Sequence, residues 1–143
     1  YMYRPKDFIA FEQTEVSVNN SIISMKEMSG YTCYMDRLYP LFSTKKSIRK
    51  LVSQGIKKNK LNCTPDDIRD MFYLDHQRFE RPIKYVGNER FRAMAAIGYA
   101  HGKQVFCFPW LSKKRFEYYH GNITYLLDML EELEMIAIVP VGE

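Results

Sequence analysis

The chain has 143 residues, of which 46% are hydrophobic and 27% are charged, and its formal net charge is +4. This composition is typical of one soluble globular domain and excludes general disorder. No apolar run approaches the ~20 residues that a membrane-spanning helix needs, so the sequence predicts no membrane insertion. The 3 cysteines are widely spaced and contain no CxxC pair, which predicts reduced thiols and no bound metal.

The N-terminal part of the chain favours β-structure. A short apolar run at residues 8–11 predicts one strand. Residues 15–23 predict a hairpin, because Asn19 and Asn20 tolerate the positive φ that a two-residue turn requires. Residues 30–34 are rich in β-forming side chains and predict a further strand.

The middle of the chain, residues 37–86, favours helices. Ser43 predicts the start of one helix, which runs to about residue 53, and Gly55 predicts its end. Thr64 predicts the start of a second helix, because a threonine cap is followed by Pro65 at the first helical position and by two acidic residues.

The same region is strongly basic. Between Arg37 and Pro65 the chain carries basic side chains and no acidic one. Such a run indicates either an anionic partner or a solvated helix face, and the sequence leaves both open. The basic residues of this stretch are Arg37, Lys45, Lys46, Arg49, Lys50, Lys57, Lys58 and Lys60.

The last third, residues 87–143, favours alternating strands and helices. Alanines between residues 93 and 100 predict a closely packed helix that begins after Gly87 and Asn88. Continuous apolar runs at residues 105–108 and 136–139 predict two strands covered on both faces. The helical spacing of leucines between these runs predicts a helix at 123–133, and therefore a parallel βαβ unit.

Taken in chain order, these stretches resemble the ATP-binding domain of the ABC (ATP-binding cassette) family. The hairpin is followed by segments similar to the family's GYVPQ, LTVRENL, LSGGEQ and RVALARAL patterns and to its Walker B strand, at residues 30–34, 41–48, 85–90, 91–100 and 103–108. The resemblance implies an α/β fold, namely a partial ABC-ATPase-like core with parallel strands plus a helical subdomain. It implies a single domain over residues 1–143, with a β-rich part at 1–36, a helical subdomain at 37–86 and a βαβ-like core at 87–143.

The residues that hydrolyse ATP in this family are missing from the matching positions. The sequence contains no GxxxxGK[ST] phosphate loop and no histidine after His120. Tyr34 stands in place of the family's glutamine, and Pro109 and Trp110 stand where an aspartate and a glutamate follow the Walker B strand. The side chains of Pro109 and Trp110 can neither hold Mg²⁺ nor take a proton from water. We therefore expect no catalytic residue, no metal, no cofactor and no enzymatic activity, with the Trp110 ring filling the vacant nucleotide site.

The resemblance leaves two binding sites as expectations. Residues Val86, Gly87, Asn88 and Glu89 match the signature that contacts the γ-phosphate held by the opposite domain of a dimer, so ATP would be bound only in trans. The alternative is an ordinary helix start. A groove for a coupling helix of a membrane permease would be lined by Tyr34, Met35, Leu38, Tyr39 and Phe42, for which core packing is the alternative.

Two classes of partner follow from these observations. The ABC resemblance implies a protein partner, either a membrane permease subunit or an active ABC ATPase, and a cytoplasmic chain peripheral to the inner membrane face. The rival is a basic nucleic-acid-binding regulatory protein, which would use the basic stretch and nearby aromatic side chains. Tyr118 and Tyr119 lie next to Lys113, Lys114 and Arg115, a combination that can stack bases and neutralise phosphates.

Overall fold

The structure is a computed structural model, and it describes residues 16–18, 20–35 and 45–142. The predicted strand at residues 8–11 and the predicted helix cap at Ser43 lie outside the described residues. The described residues belong to two compact units that divide after Gly30. The organisation of residues 1–143 as one domain stays a prediction.

The first unit contains the predicted hairpin. Strands β1 (Val16–Val18) and β2 (Ser21–Ile23) pair antiparallel, and Asn20 takes the predicted left-handed conformation with φ of 65°. The sequence correctly places this turn, because asparagine is one of the few residues that accept a positive φ at low cost.

Helix α1 (Met25–Tyr31) replaces the start of the strand predicted at residues 30–34. Ser24 and Glu27 form a capping box: the Ser24 Oγ accepts from the Glu27 amide at 3.2 Å, and the Glu27 carboxylate accepts from the Ser24 amide at 2.8 Å. This reciprocal pair stabilises the first helical turn, so strand β3 begins only at Thr32 and ends at Tyr34.

The helical part of the second unit contains α2 (Ile48–Asn59), α3 (Pro65–Met71), α4 (His76–Phe79), 3₁₀ turns at Ile83–Tyr85 and Gly87–Glu89, and α5 (Arg90–Ala100). The cap predicted at Thr64 is confirmed, because its Oγ1 accepts from the Asp67 amide at 3.2 Å and the Asp67 carboxylate accepts from the Thr64 amide at 2.7 Å. Helix α3 packs Ile68 into the core, where that side chain is fully buried.

The predicted end of α2 at Gly55 is wrong. The helix starts after Ser47, whose hydroxyl accepts from the Lys50 amide, and it continues through Gly55 to Asn59. A Cβ atom at Gly55 would lie 2.7 Å from the carbonyl carbon of Ala100. Glycine is therefore present because α2 and α5 approach each other closely here, and not because the helix ends.

Three strands form a parallel sheet at the centre of the second unit. Its order is β3, β4 (Val105–Cys107) and β6 (Ile136–Ile138). Helix α6 (Lys113–Glu132) connects β4 to β6 and starts earlier than the predicted 123–133, because the Ser112 hydroxyl accepts from the Arg115 amide and caps it there. Short strands β5 (Leu111–Ser112) and β7 (Val141–Gly142) also pair parallel. The α/β fold class and the parallel βαβ unit are confirmed.

The two faces of this sheet differ in burial. On one face Cys33 and Phe106 are buried against α5, where a Cβ at Gly98 would lie 2.8 Å from the Phe106 ring. On the other face Ile136 is 58% exposed and Ile138 is 48% exposed. The prediction that strand 136–139 is covered on both faces is therefore wrong, because within the described residues helices cover only one face.

Within the described residues, no helix combines the length and the hydropathy that a membrane span requires.

Candidate functional site

The turn that leads into α5 matches the predicted signature position only in part. Gly87 has φ of 58° and is exposed, and no atom lies within 4 Å of the place where its Cβ would be. The glycine is therefore required by the backbone conformation and not by lack of space. The Val86 side chain is 1% exposed and belongs to the core, so only its backbone remains for a ligand contact.

Glu89 already occupies the start of α5. Its buried carboxylate accepts hydrogen bonds from Arg78 Nη1 at 3.0 Å and from the Asp75 amide at 3.1 Å, and Arg92 Nη2 lies 3.7 Å away. A carboxylate at a helix N-terminus compensates the positive end of the helix dipole. The Glu89 side chain therefore holds this turn in place. The predicted contact with a phosphate is left to the backbone of the turn and to Gly87 and Asn88.

Asn88 faces outward beside this network. It is exposed, and its Oδ1 accepts from Arg78 Nη1 at 2.8 Å. Arg78 thus links Asn88 and Glu89. Arg78 and Glu89 border an open polar groove of about 390 Å³ together with Asp75 and Arg81. No local sequence motif points to Arg78, because its partners Asn88 and Glu89 lie ten and eleven residues away.

A second groove, of about 660 Å³, is bordered by the turn at Gly87 and Asn88. We call it the basic–aromatic groove, because it is lined by Arg90, Lys114 and Arg115 and by Phe91, Tyr118 and Tyr119. Within the part of the chain that the structure describes, the Lys114 and Arg115 side chains have no ion-pair partner. The groove therefore combines positive charge with aromatic rings and can attract an anionic ligand that also offers a flat ring.

The aromatic side chains of this groove are stacked edge to face. The rings of Tyr118 and Tyr119 lie 4.9 Å apart at 87°, and those of Phe91 and Tyr119 lie 6.2 Å apart at 90°. Tyr118 is 81% exposed. The fold thus brings the signature-like turn and the Tyr118–Tyr119 pair to one groove, although the sequence treats them as separate features.

The prediction that Trp110 fills a vacant nucleotide site is wrong, because Trp110 is 60% exposed. Its neighbours Phe108 and Leu111 point into the core instead. Their backbone amides donate to Ile138 and Pro140 at 2.9 and 3.1 Å, which fixes the chain on both sides of Trp110. Pro109 lines the basic–aromatic groove.

The predicted coupling-helix groove is only partly described. Tyr34 is 51% exposed, whereas Met35 is fully buried and therefore offers no side chain to a partner. The Met35 amide donates to the Cys107 carbonyl at 2.7 Å, which continues the sheet by one residue and turns Met35 into the core. Leu38, Tyr39 and Phe42 lie outside the described residues.

In the basic stretch, Arg49 makes structural contacts, whereas several lysines are exposed to solvent. Arg49 donates to both oxygens of Asp66, at 2.7 and 3.0 Å, and also to Glu80, and its guanidinium lies 5.1 Å from the Phe79 ring centroid. Hydrogen bonds to Asp66 and Glu80 raise the pKa of Arg49. Lys50, Lys57, Lys58 and Lys60 are exposed, so they form the solvated part of this stretch, and Arg37 lies outside the described residues.

The His101 side chain is half-buried and contacts the backbone of a neighbouring helix. Its Nε2 lies 3.0 Å from the Leu51 carbonyl oxygen, between α2 and α5. Burial lowers the pKa of His101, and the contact with the Leu51 carbonyl opposes this effect only in part. Burial also raises the pKa of Cys33 to about 12, so this thiol is inert. In the described residues, no group of three His, Cys, Asp or Glu side chains is placed to hold a metal ion.

Solved structures place this fold among ABC ATPase domains. The chain is similar to cbiO1 from Clostridium perfringens, described as part of the ABC transporter complex cbiONQ, with a TM-score of 0.60 and 14% identity over 89% of this chain and 55% of that one. It is also similar to the ATP-binding cassette MJ0796, described as a dimer in a post-hydrolysis state bound to ADP and Pi, with a TM-score of 0.55 and 14% identity over 90% and 62% of the two chains.

These comparisons confirm the ABC-ATPase-like fold. The chain spans only 55% and 62% of the two ABC structures. No protein-family model matches the sequence, and neither does any curated protein. Because a shared fold hosts many activities, function has to be argued from the residues of the site.

Proposed function

We propose that the chain is a catalytically inactive ABC-ATPase-like subunit that acts as a binding or regulatory partner in a transporter-type assembly. The observation that carries this proposal is the end of strand β4. This strand lies between β3 and β6 as expected of the Walker B strand, and Pro109 and Trp110 follow it where the family resemblance implies two acids.

The chemistry of phosphoryl transfer supports an inactive subunit. Hydrolysis requires a bound Mg²⁺ that neutralises the phosphate oxygens and a residue that orients or deprotonates the attacking water. A proline ring and an indole supply neither an anionic oxygen ligand nor a proton acceptor at neutral pH. Binding of an anion remains compatible with the basic–aromatic groove, since Arg90, Lys114 and Arg115 line it.

The proposed role in binding uses the exposed part of the signature-like turn. Gly87 and Asn88 border the basic–aromatic groove, and they would meet a nucleotide held by an active ABC ATPase, so that ATP is bound in trans. A membrane permease subunit is the other proposed partner, and it would place the chain at the inner membrane face. The similar protein cbiO1 is part of an ABC transporter complex, which supports this class of assembly.

An ATPase assay tests the inactive state. We expect the purified chain to show no Mg²⁺-dependent phosphate release above a buffer control. Any trace activity should be unchanged in Asn88→Ala and Arg115→Ala, as in the matched surface variant Lys57→Ala. Turnover that is abolished by Asn88→Ala or Arg115→Ala but not by Lys57→Ala would contradict the proposal, because a contaminating ATPase ignores substitutions in this chain.

A nucleic-acid-binding regulator is the second candidate, and the basic–aromatic groove is the observation that favours it. Exposed rings next to cations bind single strands by stacking and by phosphate neutralisation. The test is the binding of a single-stranded oligonucleotide at increasing salt. Affinity that falls steeply with salt, and that Tyr118→Ala weakens more than Tyr85→Ala, would favour this candidate over the first. Tyr85 is a suitable control because it is 58% exposed and lies outside the groove.

A further inference from the structure

The charges at the two ends of helix α6 are the reverse of those that a helix favours. Its first turn contains Lys113, Lys114 and Arg115 and no acidic residue. Its last turn contains Glu131 and Glu132 and no basic residue. Cations are unfavourable at the positive N-terminal end of a helix dipole, and anions are unfavourable at its negative C-terminal end. No ion pair within the described residues compensates these five charges, so the contacts of a single chain do not explain them.

A line of exposed residues connects these two ends. The buried side of α6 contains Ile123, Leu126 and Leu130. On the opposite side, exposed residues follow one another at alternating intervals of four and three positions, which is the spacing of the contact positions in a coiled coil. We call this line the α6 seam, and its six residues are Lys114, Tyr118, Gly121, Tyr125, Asp128 and Glu132.

Gly121 lies near the middle of the seam and of the 20-residue helix. Glycine inside a helix is less favourable than alanine, so a positive φ or a close neighbour usually accounts for it. Among the described residues Gly121 has neither: its φ is not positive, and no atom lies within 4 Å of the position where its Cβ would be. The open space beside Gly121 can therefore receive a side chain from another molecule.

We propose that the α6 seam of one copy packs antiparallel against the α6 seam of a second copy of this chain. In one register every residue of the seam meets a complementary residue of the other copy. Because the arrangement has twofold symmetry, each contact occurs twice, as in an isologous dimer. The contacts pair Lys114 with Glu132, Tyr118 with Asp128, and Gly121 with Tyr125.

Each of these contacts is chemically complementary. The Lys114 ammonium group forms an ion pair with the Glu132 carboxylate, which offsets the unfavourable position of each charge on its own helix. The Tyr118 hydroxyl donates a hydrogen bond to the Asp128 carboxylate. The Tyr125 ring covers the space beside the glycine of the other copy.

Neighbours in the same chain hold the two seam rings in position. The Tyr118 ring lies 4.9 Å from the Tyr119 ring, and the Tyr125 ring lies 5.5 Å from the Tyr73 ring. Both contacts are edge to face. Rings that are already oriented lose less side-chain freedom on association, which favours the dimer.

The charges select both the direction of the helices and the partner. In a parallel pair the two basic ends would lie together, and so would the two acidic ends, which is repulsive. In an antiparallel pair one sequence supplies both members of every contact. A second copy therefore compensates both ends of α6 at once, whereas a uniformly acidic or a uniformly basic partner compensates one end and repels the other.

The contact should be weak and sensitive to salt. A helix of 20 residues is about 30 Å long and about 10 Å wide, so the seam is small compared with the surface that stable dimers bury. Its contacts are polar and lie at the surface, where salt screens charges. We therefore expect a reversible dimer with a Kd between about 1 µM and about 1 mM at low salt.

The dimer would also occupy part of the basic–aromatic groove. Lys114 and Tyr118 belong to the seam and line that groove as well. If the groove receives ATP held by an active ABC ATPase, the dimer and that partner would exclude each other. The seam itself does not depend on the proposed function, because its contacts involve no nucleotide.

Sedimentation equilibrium of the purified chain tests the dimer. The average mass should rise from that of a monomer towards that of a dimer as the protein concentration is raised from about 1 µM to about 1 mM. Salt at about 1 M should weaken this association. A mass that stays monomeric over the whole range overturns the proposal, whether the seam is free or covered by another part of the same chain.

Charge-reversal variants show whether the association uses the seam. Lys114→Glu places two carboxylates together at each end of the dimer, and Glu132→Lys places two ammonium groups there, so each variant alone should raise the Kd at least about tenfold. An equimolar mixture of the two variants restores opposite charges at both ends and should regain the affinity of the parent chain. Lys57→Glu is the matched control, because Lys57 is exposed on α2 outside the seam, and it should leave the Kd unchanged. Circular dichroism of the three variants should match that of the parent chain.

The mixing experiment decides between the possible origins of the association. Weak association of each variant alone and recovery in the mixture support the antiparallel seam. A dimer that neither reversal weakens uses a different surface and overturns the proposal. Two weakened variants that do not associate when mixed also overturn it, because the charges then do not act across the contact. None of these measurements involves ATP hydrolysis, so failure here and failure of the proposed function are distinguishable.

Discussion

Trp110 shows how a single side chain is placed by its neighbours. Phe108 and Leu111 are at most 4% exposed, and their backbone amides donate to Ile138 at the end of β6 and to Pro140 after it. Because Phe108 and Leu111 are both anchored in the core, the short segment between them leaves the indole at the surface, next to the end of β4.

The Trp110→Ala substitution should change the free energy of unfolding by less than ~0.5 kcal/mol, as is usual for surface substitutions. Chemical denaturation of the purified variant measures this. Phe106→Ala is the control, because Phe106 is fully buried and removal of a buried ring costs ~3–5 kcal/mol. A loss of several kcal/mol in Trp110→Ala would show that the ring is buried in solution.

His101 should give the protein a pH-dependent stability. Burial lowers the pKa of His101 below its ordinary value of 6.5. The unfolded chain therefore takes up a proton at higher pH than the folded chain does, and stability falls as pH falls below about 6.5. Denaturation midpoints measured from pH 7.5 to pH 5 should show this decline, and His101→Gln should flatten it. His120→Gln is the control, since His120 is exposed on α6, and a decline that survives in His101→Gln would contradict the assignment.

At the scale of elements, the contact between α2 and α5 organises the helical region. Gly55 lies against Ala100, and Asn59 Nδ2 donates to the Ala100 carbonyl at 3.0 Å. The His101 ring adds to this contact, because its Nε2 lies 3.0 Å from the Leu51 carbonyl oxygen of α2. The two helices therefore approach at a distance that only a residue without a side chain permits.

The Gly55→Ala substitution should destabilise the protein by ~1–3 kcal/mol, because the added methyl overlaps the backbone of Ala100. Gly121→Ala is the matched control. Gly121 lies within α6, and nothing is within 4 Å of its Cβ position, so alanine should stabilise that helix by ~0.5–1 kcal/mol. Thermal denaturation of both variants gives the comparison, and equal shifts would contradict the close approach of the helices.

The elements that the sequence predicts well are those set by local chemistry. Thr64 with Pro65 and Asp67 specifies a helix start within four residues, and Asn20 specifies a turn within two. Ser24 and Glu27 carry the same kind of signal, and the sequence-based prediction missed it.

Features that depend on distant partners were not predictable. Gly55 indicates a helix end by its type, and only the approach of Ala100 explains why the helix continues. An apolar run at 136–139 predicts a buried strand, and only the sheet topology leaves Ile138 exposed. The candidate site was not predictable for the same reason, because the turn at Gly87 and the ring of Tyr118 are brought together only by tertiary packing.

At the scale of the whole molecule, the stability of the protein should fall in two steps as the pH is lowered. His101 acts first, as pH falls below about 6.5. Hydrogen bonds from Arg49 lower the pKa of Asp66 below its ordinary value of 3.8. That carboxylate therefore contributes stability that is lost as pH falls below about 3.8. Denaturation midpoints measured from pH 7.5 down to pH 2 should show both steps, and Asp66→Asn should weaken only the second. A decline below about pH 3.8 that Asp66→Asn leaves unchanged would contradict this assignment.

The position of β4 between β3 and β6 has a consequence for how the chain is made. Strand β3 pairs with β4, which begins at Val105. The ribosome therefore synthesises β3 long before its partner strand. Contacts that are local in sequence form faster than distant ones. Helices α2 to α4 can therefore form while the edge of β3 is still unpaired. A nascent chain stalled before residue 105 should therefore hold helical structure without the parallel sheet, and the unpaired strand β3 is the segment that a chaperone would have to protect.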